Sequence, residues 1–112
     1  MSSPTVGKMK LWLDDKRPMP AGFDIHVVSA FEAIDMIKTG KVTKISLDND
    51  LGDRLIVGEG WMVADFIEEQ AYFGNIPKIK CYVHSDNAVA VERMCITLNR
   101  AMSYWHDHEI KE

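Results

Sequence analysis

Apolar positions along this chain alternate between short runs with strand character and longer stripes at helical spacing. Met9-Lys10-Leu11-Trp12-Leu13 reads as a first strand, and Ile25-His26-Val27-Val28, rich in β-branched residues, as a second. Between them, Lys16-Arg17-Pro18-Met19-Pro20-Ala21-Gly22 holds two prolines and a glycine, which precludes a regular helix and leaves a loop in place of the usual crossover helix. Ser29 and Glu32 have capping-box spacing; Ala30, Ala33, Ile34 and Ile37 then form the i, i+3, i+4, i+7 stripe of a helix that Gly40 ends. Lys44 to Leu47 predicts a third strand, and Asp53 to Gly60 a loop beside Gly52, Gly58 and Gly60. Trp61 to Phe73 predicts a helix whose aromatic residues Trp61, Phe66, Tyr72 and Phe73 read as core, stopped by Gly74-Asn75 and kept from restarting by Pro77. Lys78 to Val83 predicts a fourth strand, and Ala88 to Met102 a last helix with Val91, Met94, Cys95, Leu98 and Ala101 on one face. Residues 1–7 read as a disordered lead-in, and residues 103–112, with Tyr104, Trp105, His106 and His108, as a tail of unassigned structure.

Strands alternating with helices imply parallel pairing through right-handed crossovers. The expected fold is a single α/β domain, a small doubly wound parallel sheet of four strands in the order 2-1-3-4. Its switch point lies between the first and third strands, where ligands of open α/β sheets bind at the carboxyl ends.

Composition narrows the partners. A formal net charge of −4 with no basic cluster argues against duplex nucleic acid, whose binding rests on many Lys and Arg contacts to phosphate. No apolar run approaches the roughly 20 residues of a membrane helix, and the N-terminus lacks a signal pattern, so a cytoplasmic protein without membrane association is expected. Cys81 and Cys95, isolated and without metal-ligand spacing, read as internal reduced cysteines. A small phosphorylated ligand remains compatible with the negative charge if a metal offsets it locally.

The chemistry gathers at the predicted strand ends. Asp14-Asp15 closes the first strand and Asp48-Asn49-Asp50 the third, so topology sets two acidic pairs opposite one another. Carboxylates so placed repel unless a cation or proton lies between them. Asp14, Asp15, Asp48 and Asp50 are therefore candidate ligands for magnesium, or manganese, which take oxygen donors. The alternative for each is a turn cap, and Asp53 reads as a solvated loop residue. Arg17, next to Lys16, is a candidate for bidentate phosphate contact; its alternative is a salt bridge to Asp15 or Asp50. His84-Ser85-Asp86-Asn87 closes the fourth strand. His84 is a candidate general acid or base, Ser85 and Asn87 candidate phosphate donors, and Asp86 a helix cap. His26, His106 and His108 have no evident partner.

Asp14-Asp15 and Asp48 resemble the acidic triad of response-regulator receiver domains. That resemblance implies that Asp48 is the phosphoaccepting position and that Asp50 stands where the family offers a backbone carbonyl to the metal. Receivers also have a first crossover helix, a fifth strand and a lysine ending it, none of which is evident here. A closer resemblance is to cyclic-phosphate-processing receiver-like domains, carried by Leu13-Asp14-Asp15-Lys16-Arg17-Pro18, Leu47-Asp48-Asn49-Asp50-Leu51-Gly52 and Val83-His84-Ser85-Asp86-Asn87. It implies metal-dependent phosphoesterase action on a cyclic or other phosphate of a nucleotide or RNA end. Asp48 would then be metal ligand or nucleophile, Arg17 the phosphate holder and His84 the proton carrier. The alternative is a non-catalytic or phosphoaccepting module that binds a protein partner or a phosphorylated ligand, with Tyr104 and Trp105 as a possible surface.

Overall fold

A computed structural model describes residues 8–111; the expectation for residues 1–7 lies outside them. The elements are β1 (Met9–Leu13), β2 (Ile25–Val27), α1 (Ala30–Ile37), β3 (Val42–Leu47), α2 (Arg54–Val57), α3 (Gly60–Phe73), β4 (Lys80–Val83) and α4 (Ala88–Lys111). The four strands form one parallel sheet in the order β2-β1-β3-β4, as the alternation of runs and stripes predicts.

Register turns the strand sequences into rows. Leu11 pairs with Ile25 and Ile45, Leu13 with Val27 and Leu47, and Ile45 and Leu47 with Cys81 and Val83. These side chains share one face and pack with Ala33 and Ile37 of α1, Val63 and Ile67 of α3, and Met94 and Leu98 of α4 in a single core. The alternate positions, Lys10, Trp12, Lys44, Ser46, Lys80 and Tyr82, stand on the opposite face, because successive strand residues point to opposite sides. Among the described residues no helix covers that second face. The loop 16–24 lies over part of it, with Phe23 edge-on to Trp12 at 5.2 Å between ring centroids and the Lys44 ammonium donating to the Gly22 carbonyl at 3.2 Å. Replacing the first crossover helix by a proline-rich loop is what leaves the sheet helical on one side.

Local signals fix the element ends. The Ser29 hydroxyl accepts from the Phe31 and Glu32 amides and starts α1. Gly74 ends α3 at φ 70°, a left-handed turn that a side chain would resist. Asp53 proves to be the cap of the short α2, its carboxylate accepting from the Leu55 amide at 3.0 Å.

Three expectations change. Residues 103–111 are not an unassigned tail but the continuation of α4, which keeps burying residues: Met94, Leu98, Ala101 and Trp105 fall on one stripe and are all buried. The Trp105 indole N–H donates to the Ile76 carbonyl at 3.3 Å and closes the core beneath the α3–β4 connection. Tyr72 and Phe73 are exposed at the end of α3 rather than core, stacked edge-to-face on each other, with Tyr72 also edge-on to Tyr104. Cys95 is exposed and Cys81 half-buried, and both are free thiols. No helix among the described residues is long and apolar enough to cross a membrane.

Trp105→Ala should therefore cost about 3–5 kcal/mol, the range for removing a buried tryptophan. A denaturant melt with an unchanged midpoint would show that the last turns of α4 do not belong to the core.

Candidate metal and phosphate site

Asp14 is the first residue past β1, and its amide donates to the Val27 carbonyl at 3.1 Å, so the strand pairing itself aims it. Its side chain is fully buried. One oxygen, Oδ1, accepts from the Lys16 and Arg17 amides at 2.7 and 2.9 Å, while Oδ2 accepts from Arg17 Nη1 and His84 Nε2, both at 2.9 Å. Four donors saturate the carboxylate. Burial alone would push this carboxyl up; the Arg17 and Lys16 amides, the Arg17 guanidinium and His84 outweigh it and hold it at about 2.

Asp48 stands opposite, its amide donating to the Leu13 carbonyl at 2.9 Å. Its Oδ1 accepts from the Asn49 amide at 2.9 Å. Burial and the neighbouring Asp14 charge push this carboxyl up, against the Asn49 amide, the Ser85 hydroxyl and Arg17. Asp15 completes the group: carboxylate oxygens of Asp14, Asp15 and Asp48 lie within 4.8 Å of one another. Asp15 Oδ1 is buried and has no hydrogen-bond partner. A buried anionic oxygen without a donor is costly, and a hard cation bound by oxygen ligands removes that cost. Three carboxylates against the single guanidinium of Arg17 leave a local excess of negative charge that a divalent ion matches. The donor set thus fits magnesium or manganese, with Asp15 and Asp48 holding free acceptor positions and Asp14 already engaged.

Asp50 does not join this group. Its carboxylate instead accepts from Asn49 Nδ2 at 3.1 Å and from Asn87 Nδ2 at 3.4 Å, on the wall of the neighbouring cleft. That cleft, about 450 Å³, is lined by Lys16, Arg17, Asp48, Asp50 and Asp86. Arg17 crosses it. Besides holding Asp14 through Nη1, its Nη2 reaches Asp86 at 2.6 Å, and Asp48 Oδ2 lies 3.7 Å from Nη1. Its ion-pair partners are therefore not Asp15 or Asp50. The β4–α4 turn exchanges two expected roles. Asn87, expected on phosphate, caps α4 by accepting from the Ala90 amide at 3.1 Å, whereas Asp86, expected as the cap, is almost fully exposed and orients Arg17. Ser85 accepts from the Asn87 amide at 3.1 Å and supports Asp48.

His84 departs most from expectation. Its ring is stacked on Trp12 with centroids 3.8 Å apart, Nδ1 is 2.7 Å from Ser46 Oγ, and Nε2 meets Asp14. Both nitrogens are occupied by protein groups, so no lone pair or N–H faces the cleft. Burial lowers its pKa despite the Asp14 carboxylate, which favours a neutral ring that donates from Nε2 and accepts the Ser46 hydroxyl proton at Nδ1. His84 thus positions Asp14, with Ser46 on its other nitrogen.

Sequence reasoning missed Ser46 and Asn49. Ser46 lies two positions before Asp48 on β3, on the same face, and that period-2 spacing was the available signal. Asn49 is buried and binds the start of α3: its Oδ1 accepts from the Trp61 amide and its carbonyl from the Gly60 amide, each at 3.0 Å. A Cβ at Gly60 would collide with the Asp48 carbonyl, so only glycine lets α3 approach the site this closely. His26, which had no expected partner, bonds through Nε2 to the Asp14 carbonyl at 2.7 Å.

A family model described as the cyclic-phosphate processing receiver domain matches residues 9–100, most of the chain and all three acidic or histidine-bearing strand ends. No curated protein and no solved structure matches it.

The Asp14 environment makes stability acid-sensitive in a defined window. Its folded pKa, about 2, lies below the ordinary 3.8, so the stabilisation is complete above about pH 4 and is lost as pH falls through 2. The difference is worth about 2 kcal/mol. Asp14→Asn, which faces an amide toward Arg17 and His84, should lower stability at pH 7 and flatten the stability slope between pH 4 and 2. Urea melts across that range check both, and an unaltered slope would mean that Asp14 is not held by these donors.

Proposed function

The chain belongs to the cyclic-phosphate processing receiver domain family, and from that premise and the converging carboxylates we propose that it is a divalent-metal-dependent phosphoesterase. Its substrate would be a cyclic or other phosphate of a nucleotide or RNA end. The observation that carries the reading is Asp15 Oδ1, buried and without a donor beside Asp14 and Asp48. Asp15 and Asp48 would hold magnesium or manganese, with Asp14 at their side. The ion would supply charge neutralisation at the phosphoryl oxygens and a more acidic bound water.

The protein groups then have separate tasks. Lys16 and Arg17 line the cleft and would hold the ester oxygens; Asp14 and Asp86 fix the guanidinium between them, so little freedom is lost when it meets phosphate. Asp48 keeps Oδ1 on the Asn49 amide and leaves Oδ2 toward Arg17, where it would take the proton of an attacking water. In that step the water oxygen bonds phosphorus, one phosphorus–oxygen ester bond of the ring opens, and the departing oxygen ends protonated. Trp12, Ser46 and His84 keep Asp14 in place.

A second reading is favoured by one observation. All four acceptor positions of Asp14 are filled by protein donors, so the site holds together without an added ion, as suits a module that binds a phosphorylated ligand without converting it.

Two measurements separate them. Magnesium at about 100 times its Kd should stabilise the protein by about 2.7 kcal/mol and alter Trp12 fluorescence, with Asp15→Asn abolishing both effects. With magnesium present, a panel of cyclic nucleotides and 2′,3′-cyclic-phosphate oligonucleotides should include a substrate, and Asp48→Asn should slow its turnover about 100-fold or more. Metal binding without turnover on any member favours the binding module. The absence of any magnesium effect defeats the metal claim itself.

A further inference from the structure

The face of the sheet that no described helix covers carries a pattern the proposed chemistry does not use. Lys10, Lys44 and Lys80 are register partners across β1, β3 and β4, and Trp12, Ser46 and Tyr82 form the next row toward the carboxyl ends. One step further, on the same strand parity, come Asp14, Asp48 and His84. Three rows on three strands thus lead from ammonium groups, past the buried Trp12 and Ser46 and the exposed ring of Tyr82, to the carboxylate site. Lys10 and Lys80 are exposed, and Tyr82 keeps 51% of its surface open to solvent. Lys44 is half-buried, its ammonium 4.4 Å from the centroid of Phe23 and 5.8 Å from that of Tyr82. Asp24 lies beside Lys10, its amide donating to the Lys10 carbonyl, so the lysine row sets three cations against one neighbouring acidic residue in a chain whose net charge is −4.

A row of lysines beside one exposed aromatic ring, Tyr82, offers what a single-stranded nucleic acid uses: cations for phosphates and a flat ring for a base. A duplex offers no free base faces, and a protein partner would not call for three lysines in register. We propose that this face holds a single-stranded RNA segment whose terminal phosphate lies in the Asp15–Asp48–Arg17 site. The proposal rests on the phosphoesterase reading and narrows its substrate from a free cyclic nucleotide to an oligonucleotide end. RNA rather than DNA follows from chemistry, since a 2′,3′-cyclic phosphate requires the ribose 2′-hydroxyl. From the lysine row to the carboxylate row is four residues of strand, about 13 Å. That length accommodates about four nucleotides at the ~3.4 Å rise of a stacked strand. Tyr82, midway, is the residue on which a base would stack.

The test uses a fluorescein-labelled five-nucleotide oligouridylate with a 3′-hydroxyl end, which offers no terminal phosphate to process, so binding is read apart from turnover. Fluorescence anisotropy with the wild-type protein should give saturable binding with a log Kd against log salt slope of about 2, at about 0.7 for each of three lysines. Tyr82→Ala should weaken binding about tenfold. Lys80→Gln should lower the salt slope by about 0.7. Both residues are exposed, so the variants are expected to fold, which a thermal melt verifies. No binding, or binding that neither variant changes, overturns the proposal. So does a dimer in sedimentation that Tyr82→Ala dissociates without oligonucleotide binding, which would make the face a self-interface. Turnover of a cyclic mononucleotide with no oligonucleotide binding leaves the phosphoesterase reading intact and removes this one. Oligonucleotide binding of the expected kind with no turnover sustains the strand-binding face and places the failure in the chemistry.

Discussion

The buried carboxylate of Asp14 is the interaction on which the rest of the site depends. A fully buried aspartate is tolerable only if its charge is answered, and here two backbone amides, a guanidinium and an imidazole answer it. Each donor is thereby placed. The amides of Lys16 and Arg17 bend the chain directly after β1, which orients the proline-bearing loop. Arg17 is held across the cleft, and His84 ties the end of β4 to the end of β1 across the intervening strand. The same residue that lowers the local charge problem for Asp14 leaves its neighbours with one. Asp15 keeps an unanswered buried oxygen, and Asp48 is pushed up by burial and by Asp14. Saturating Asp14 while leaving Asp15 without a donor is a division of labour between scaffold and ligand.

Strand parity explains why this surface exists at all. Past the register shift at Met9/Lys10, Leu11, Leu13, Ile45, Leu47, Cys81 and Val83 meet the helices, while the alternate positions are Lys10-Trp12-Asp14, Lys44-Ser46-Asp48 and Lys80-Tyr82-His84. In a sheet covered on both faces such polar positions would carry a desolvation cost. Here the crossover between β1 and β2 is too rich in proline to form a helix, and α4 packs beside α3 on the core side, so the even face meets solvent and the loop 16–24. Trp12 is the exception that proves instructive: it is buried not by a helix but by Phe23 on one side and the His84 ring on the other. The irregular loop and the site histidine together do the work of a missing helix at one point, and elsewhere the face stays open.

Much of this was legible in the chain. Two runs ending in Asp14-Asp15 and Asp48, in a strand order set by right-handed crossovers, put those carboxylates at one switch point before any contact was known. The strand order and three of the four carboxylates expected to converge do so. Asp50 escaped because one residue of strand-end turn reverses a side chain, and its placement depends on Asn49 and Asn87 rather than on the strand. The roles of Asp86 and Asn87 were exchanged for a similar reason. Either residue type can cap a helix, and only the reach of Arg17 decides which one is free to do so. The double occupancy of the His84 ring was not legible because hydrogen-bond saturation is a property of partners, and one of them, Ser46, belongs to another strand. The end of α4 is a different case: the stripe Met94, Leu98, Ala101, Trp105 was present in the sequence, hidden by the polar and aromatic crowding after Met102.

The remaining tension is electrostatic. A cluster of carboxylates repels phosphate, yet a phosphate must approach it if the family's chemistry takes place here. The cleft resolves this by layering charge. Arg17 and Lys16 line it together with Asp48, the exposed Asp86 holds Arg17, and the unanswered Asp15 oxygen belongs to the carboxylate group that includes Asp48. An anion arriving alone would meet two cations and then the carboxylates of Asp48 and Asp15, and would stop at the first. A divalent ion held by Asp15 and Asp48 would reverse the sign of that second layer, so that the same anion would be drawn inward by both. Metal and phosphate should therefore bind with positive coupling, each raising the affinity for the other by the same factor. Asp15 would set that factor, because its orphaned oxygen is the charge that a bound ion would neutralise and that the anion would otherwise face. Removing that charge should weaken metal binding while raising the affinity of the metal-free site for phosphate, an opposite-signed pair of effects that a merely structural aspartate would not produce.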